Sequence, residues 1–281
     1  LLARGIPSNS TLWSASAILN EKYHPLVLNT HIDFIKAGAE IIITNTFATR
    51  IKRLKENNLE DKFEYLNKKA GEIAVNAKKM YPHVFVAGGL PPQNLTYEAD
   101  DRDEKEIIGN FKDQARVLYP YVDFFYFDVW SSVKEVKCGI EAIKEFKKPY
   151  LVGVHISEGI NLPSGENISD LKNIINDKAL GVMLSCVSPE NFEKNLKELK
   201  SLDVPFGFKL NGFVTTKLKE GYTSVFLGKK SNPNEFLGKR KDLTPDKIAK
   251  IAKKFKDSGA TILGGCCETS PSHIEAIAKI K

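Results

Sequence analysis

The chain has 281 residues, 42% of them hydrophobic and 10% aromatic, which suffices for the core of one sizeable domain. Its 41 basic and 35 acidic residues leave a formal charge of +6. The lysines cluster in short stretches such as Lys52-Arg53-Leu54-Lys55 and Lys253-Lys254-Phe255-Lys256, a pattern of solvated helix faces that excludes a continuous nucleic-acid stripe. No apolar run reaches the length of a membrane span. The opening Leu1-Leu2-Ala3-Arg4-Gly5-Ile6-Pro7 has neither the basic region nor the apolar core of a signal peptide. It also lacks an initiator methionine, so a preceding segment is expected. Four cysteines are too few for a disulfide framework at this length. A cytoplasmic protein with reduced thiols is the expectation.

Short β-rich runs alternate with segments of helical period. In chain order, strands are expected at 39–45, 84–90, 123–129, 150–156, 181–187, 205–211 and 260–266. Most are nearly continuous apolar runs, as parallel strands covered on both faces require. Between them, Ile107, Ile108, Phe111, Ala115 and Leu118 mark one helical face, and Val133, Val136, Ile140 and Ile143 a second. Phe192, Leu196 and Leu199 mark a third, and Ile248, Ile251, Ala252 and Phe255 a fourth. Ser188-Pro189 and Thr244-Pro245 each read as an N-cap hydroxyl followed by proline at the first helical position. The connection 212–243 is unusually long. Its Val225, Phe226, Phe236 and Leu237 predict that it covers the site or contacts a second subunit of a homo-oligomer.

Seven strands with interleaved helices fit either an open doubly wound sheet or a (β/α)₈ TIM barrel whose first strand lies upstream of Leu1 or is missing. Polar and reactive residues favour the barrel. Thr44-Asn45-Thr46, Asp128, His155, Cys186, Asn211 and Cys266-Cys267 all fall at carboxyl ends of strands. A barrel gathers those ends at one mouth, whereas an open sheet spreads them along a line. With no internal repeat, low-complexity tract or linker, residues 1–281 read as a single barrel domain.

Cys266 and Cys267 are adjacent, follow Gly264-Gly265 and end the last strand. Vicinal cysteines pair poorly with each other, yet both reach one metal if the backbone turns sharply, and the glycines permit such a turn. A helix opening near Pro271 would direct its positive end toward them and favour thiolate. Cys186 ends a strand two positions away around the barrel. Three thiolates from strand ends describe a catalytic zinc site with an open fourth position; the alternative is that Cys186 is a small core hydrophobe and the vicinal pair a packing accident. Cys138 lies roughly 200° around its helix from Val136, at 100° per residue, and is expected to be an unligated surface thiol.

The segment Gly264-Gly265-Cys266-Cys267-Glu268-Thr269-Ser270-Pro271-Ser272-His273-Ile274 closely resembles the Gly-Gly-Cys-Cys segment of the homocysteine S-methyltransferases. Leu12-Trp13-Ser14-Ala15, His31 through Ala37-Gly38-Ala39, and Thr44-Asn45-Thr46-Phe47 resemble the family's first helices and second strand. Cys186 with Pro189-Glu190 is similar to its isolated zinc cysteine, and Asn211-Gly212 to its seventh-strand asparagine. The resemblance runs from about residue 1 to the end. It implies Zn²⁺ bound by Cys186, Cys266 and Cys267, and a reaction in which homocysteine takes a methyl group from a small donor to form methionine.

Three departures stand out. The family's opening Asp-Gly-Gly would precede Leu1; its usual asparagine before the isolated cysteine is Ser185; and its fourth-strand glutamate, which holds the homocysteine amino group, appears as Asp128. Aspartate keeps the charge but shortens the reach by one methylene, about 1.5 Å.

Substrate-binding roles are therefore expected for Asp128, Thr44, Thr46, Phe47, Asn211 and Trp130. A sulfonium or quaternary ammonium donor is usually held against aromatic faces. Trp13, Phe47, Tyr126, Trp130 and Tyr222 offer them, with Phe47 and Trp130 ranked first because they follow strand ends. Core packing explains each of these aromatics equally well. His155 is read as pocket wall rather than zinc ligand. Two rival readings remain: a redox protein pairing Cys186 with Cys266 or Cys267, and a catalytically impaired zinc- or thiol-binding sensor, suggested by Asp128 and Ser185.

Overall fold

The computed structural model describes residues 1–6, 10–156, 158–217 and 237–280. Seven strands form one sheet: β1 (Ile41–Ile43), β2 (Phe85–Leu90), β3 (Phe124–Trp130), β4 (Tyr150–Val154), β5 (Ala179–Val187), β6 (Phe206–Leu210) and β7 (Ile262–Gly265). Each pairs in parallel with the next in sequence. Every strand expected from the apolar runs is present.

The described helices are α1 (Ser16–Leu19), α2 (His24–Lys36), α3 (Ile51–Lys55), α4 (Phe63–Met80), α5 (Glu104–Leu118), α6 (Val133–Ile143), α7 (Pro189–Lys194), α8 (Leu196–Lys200), α9 (Pro245–Asp257) and α10 (Pro271–Ala278). Ser188 accepts from Asn191 N and Thr244 from Lys247 N, and each is followed by proline, so both sequence-read caps form.

Alternation along the strands separates two cores. Phe125, Phe127, Val152, Val154, Val182, Leu184, Phe206, Phe208 and Leu210 pack outward with the helices. Ala87, Phe124, Tyr126, Leu151 and Met183 pack inward, filling the barrel as side-chain layers do in such folds. Gly153 also faces inward; a methyl there would stand 2.5 Å from Ser185 Oγ and 2.7 Å from the Tyr126 ring. Its bare backbone is what lets those two side chains meet.

The sheet curls but does not close. Among the described residues β1 and β7 share no ladder. Between them lies a cavity of about 920 Å³ walled by β1, β7, α2 and α10 and reaching inward to Tyr126, Asp128 and Lys209. This gap separates the two strands between which the sequence reading left a strand missing.

Two expectations need correction. Cys138 is buried, at 1% exposure, in the outer core. Helix α6 packs against α5 as well as the sheet, so the flank assigned to solvent faces a neighbouring helix. Trp130 is also fully buried, stacked on Phe127 at 4.1 Å and Phe111 at 4.2 Å, and it donates from Nε1 to Leu90 O at 2.7 Å. Strict alternation from inward Asp128 would aim Trp130 into the barrel. Val129 instead adopts φ 70° and the β3–β4 register shifts between Phe127 and Trp130, which swings the indole outward.

Of the long connection, residues 218–236 lie outside the described residues, including Tyr222, Val225, Phe226 and Phe236. Leu237, just beyond them, is fully buried in a cluster with Tyr97, Val129, Cys186 and Phe213.

Candidate metal centre

Three sulfurs meet at the carboxyl ends of β5 and β7. Cys186, Cys266 and Cys267 have their Sγ atoms within 4.8 Å of one another. The Cys186–Cys267 separation is 3.8 Å and the Cys266–Cys267 separation 4.0 Å. On β5, Met183 and Ser185 face inward, so alternation would send Cys186 outward into the helix layer. A left-handed backbone at Cys186 (φ 54°) coincides with a register shift between Ser185 and Val187, and this bulge re-aims the thiol to the mouth.

The turn holding Cys266 and Cys267 differs from the expectation. Glu268, at φ 62°, supplies the left-handed residue. Gly265 is needed for close approach instead: a methyl on it would stand 2.4 Å from Thr269 Oγ1. That hydroxyl donates to Cys266 O at 2.6 Å, Cys266 N donates to Leu210 O at 2.6 Å, and Gly212 N donates to Cys267 O at 2.9 Å.

The thiols share charge unequally. Hydrogen bonds from Cys186 and Cys267, aided by the Lys209 ammonium, hold Cys266 well below the ordinary thiol range. Cys267 is pushed up because Cys186 and Cys266 oppose a second charge, and burial pushes Cys186 up. Full ionisation of all three requires a cation among them.

The surrounding side chains divide into those at the mouth and those behind it. Tyr97 OH donates to Cys186 Sγ at 2.9 Å. Asn211 Nδ2 donates to Cys186 O at 2.5 Å, while its Oδ1 accepts from Phe213 N at 3.1 Å, so Asn211 fixes the bulged backbone. Phe47 stacks on Trp13 with centroids 6.0 Å apart, and both pack against the buried cluster that includes Cys186, as Cys266 and Cys267 do. Thr44 and Thr46 are buried and tie β1 to β2: their hydroxyls lie 2.9 Å apart, Thr46 donates to Gly89 O, and Thr44 accepts from Gly89 N.

Inside the barrel below the thiols, Lys209 Nζ lies 2.5 Å from Asp128 Oδ1, both side chains about 10% exposed. The ammonium also sits 4.9 Å from the Tyr126 ring centroid, and Tyr126 shares a short hydrogen bond with Ser185. Burial raises the Asp128 carboxyl above its ordinary range against the pull of Lys209. Burial also opposes the Lys209 charge, but Asp128, Tyr126 and Cys266 outweigh it and hold the ammonium well above its ordinary value.

Sequence reasoning brought the three cysteines together but overlooked Tyr97 and Lys209. Tyr97 lies in a connection after β2, where nothing local links it to Cys186, 89 residues away. Lys209 carried a signal: it is a lone charge inside the apolar run Phe206-Gly207-Phe208-Lys209-Leu210, and a charge in a covered strand needs a partner.

The model of the family "Homocysteine S-methyltransferase" matches residues 2–280 of this chain. Homocysteine S-methyltransferase 1 of Zea mays is 25% identical, the match covering 100% of this chain and 90% of that protein. S-methylmethionine–homocysteine S-methyltransferase BHMT2 of Pongo abelii is 28% identical over 95% of this chain and 72% of its own length. Among solved structures, the metallated form of the homocysteine methyltransferase MmuM from Escherichia coli superposes with a TM-score of 0.80 at 19% identity, covering 100% of this chain and 92% of that one. That agreement establishes the barrel-type fold.

Proposed function

The chain belongs to the homocysteine S-methyltransferase family, and on that premise we propose that it methylates the thiol of homocysteine to form methionine, with zinc held by Cys186, Cys266 and Cys267. The observation that carries this reading is the sulfur spacing. Tetrahedral zinc with Zn–S near 2.3 Å has S···S edges of about 3.8 Å; two of the three separations, 3.8 and 4.0 Å, lie close to that value, and the third is within 4.8 Å. Cys186, Cys266 and Cys267 would hold the ion, which would supply Lewis acidity for ionising an acceptor thiol.

The donor is a small sulfonium or quaternary ammonium compound; S-methylmethionine, in the name of the Pongo abelii relative, is of this class. The acceptor sulfur forms a bond to the methyl carbon as the donor's carbon–sulfur or carbon–nitrogen bond breaks. The electron pair stays with the donor, which leaves neutral, and the thiol proton passes to solvent. Phe47 and Trp13, which pack against the cluster holding Cys186, present aromatic surface to the donor cation. Asp128 takes the homocysteine ammonium, while Tyr97 and Asn211 keep Cys186 in place. Trp130, enclosed behind β3, serves packing.

The test is metal analysis and turnover of four single variants, with betaine, dimethylsulfoniopropionate, S-methylmethionine and S-adenosylmethionine as donors. Cys186→Ala, Cys266→Ala and Cys267→Ala should each lose most of the zinc and nearly all methyl transfer. Cys138→Ala should keep both. Full zinc in Cys186→Ala would sink the proposal.

A further inference from the structure

Taking the acceptor reading above as its basis, we propose that Lys209 is a specificity-determining residue that binds the carboxylate of the acceptor while Asp128 binds its ammonium, so that the pair reads the amino-acid zwitterion as a unit.

Three observations point this way. First, the pair lies inside the barrel below the thiols. Both side chains project from the inward faces of β3 and β6, and the charge of Cys266 acts on each of them.

Second, hydrogen-bonding capacity is left over. An ammonium has three donors, and among the described residues Lys209 gives a hydrogen bond only to Asp128 Oδ1. Asp128 accepts from Tyr126 as well, so the spare capacity lies on the Lys209 ammonium.

Third, the pair is a poor device for stability alone. Two charges buried among Tyr126, Leu151 and Met183 carry a desolvation cost that an apolar pair of the same volume avoids. A ligand that brings its own opposite charges offsets that cost. An amino acid has ammonium and carboxylate on one carbon, within roughly 3 Å by covalent geometry, close to the 2.5 Å between Lys209 Nζ and Asp128 Oδ1.

The test uses three thiols of equal chain length: homocysteine, 3-aminopropanethiol, which lacks the carboxylate, and 4-mercaptobutyrate, which lacks the ammonium. Their dissociation constants are measured by calorimetry on the zinc-loaded full chain. The parent should prefer homocysteine over 3-aminopropanethiol by at least tenfold. In Lys209→Met, homocysteine should weaken on the order of 100-fold, as expected when one partner of a desolvated charge pair is removed. Binding of 3-aminopropanethiol should hold or tighten, because Asp128 loses its competitor.

A Lys209→Met protein that weakens both thiols equally assigns Lys209 to scaffolding and overturns the proposal. If that variant fails to fold, Lys209→Met/Asp128→Asn removes both charges together. It should then bind homocysteine no better than 1-propanethiol, and retained preference overturns the proposal. A parent that binds homocysteine and 3-aminopropanethiol alike rejects the role of Lys209 but keeps the acceptor reading. A parent that binds no thiol rejects both.

Discussion

His155 shows how a single residue near the site couples to the medium. It is fully buried, lies 4.0 Å from the Tyr97 ring centroid, and has Nδ1 3.2 Å from Ser185 O. Burial lowers its pKa from 6.5 to about 4. The folded state therefore binds fewer protons than the unfolded state between those values, so stability rises with pH across that window. The contribution is complete above pH 6.5 and is lost as pH falls toward 4, with a magnitude on the order of 3 kcal/mol. Urea denaturation at pH 7 and pH 5 should show a flatter dependence for His155→Phe, which keeps the ring stack without the titration. Equal slopes in parent and variant would mean that His155 is charged in the folded protein. The histidine itself was readable as a strand-end residue. Its neutrality was not, because burial beside Tyr97 depends on a contact between chain segments 58 residues apart.

At the scale of elements, strands and helix caps were legible because their signals are local. Apolar runs marked all seven strands, and Ser188-Pro189 and Thr244-Pro245 marked two helix starts. The bulges at Val129 and Cys186 were not, since an apolar run looks the same whether or not one residue turns left-handed. Those bulges decide which way Trp130 and Cys186 point, and so they account for one misplaced aromatic and for the thiol that joins the other two at the mouth. The glycines before the cysteines were noticed for the wrong reason, and a paired substitution checks the revised one. Gly265→Ala places a methyl 2.4 Å from Thr269 Oγ1, whereas Gly264→Ala meets nothing nearer than 3.5 Å, at Phe208 O. Gly265→Ala should cost about 1–3 kcal/mol, the range for overpacking, and should reduce metal retention. Gly264→Ala should do neither. Denaturation midpoints and metal content report both.

Over the whole molecule, barrel and open sheet were both consistent with the strand count; the recurrence of reactive residues at strand ends favoured the barrel, and the curled sheet agrees with it. The seam between β1 and β7 was legible as well, because seven strands of an eight-strand barrel leave one gap, and the strand order puts it between these two. The ligand positions make a further prediction at this scale. With zinc bound, thermal unfolding should shift upward by the linkage relation. Excess chelator should lower the midpoint and make the stretch from β6 to α10 the first to be cut by protease. An unchanged midpoint on chelation would place the metal outside the cooperative unit.

Cys186 lies on β5 and the vicinal pair directly after β7, with β6 between them and 81 residues separating Cys186 from Cys267. Sliding β7 by one residue against β6 would exchange its inward and outward faces and carry Cys266 away from Leu210, whose carbonyl its amide now meets. The three sulfurs would then no longer converge. If these thiols hold the proposed metal, capture would succeed only after the last strand has docked in its native alignment, and the ion's arrival would serve as a proofreading step: misaligned chains would stay empty.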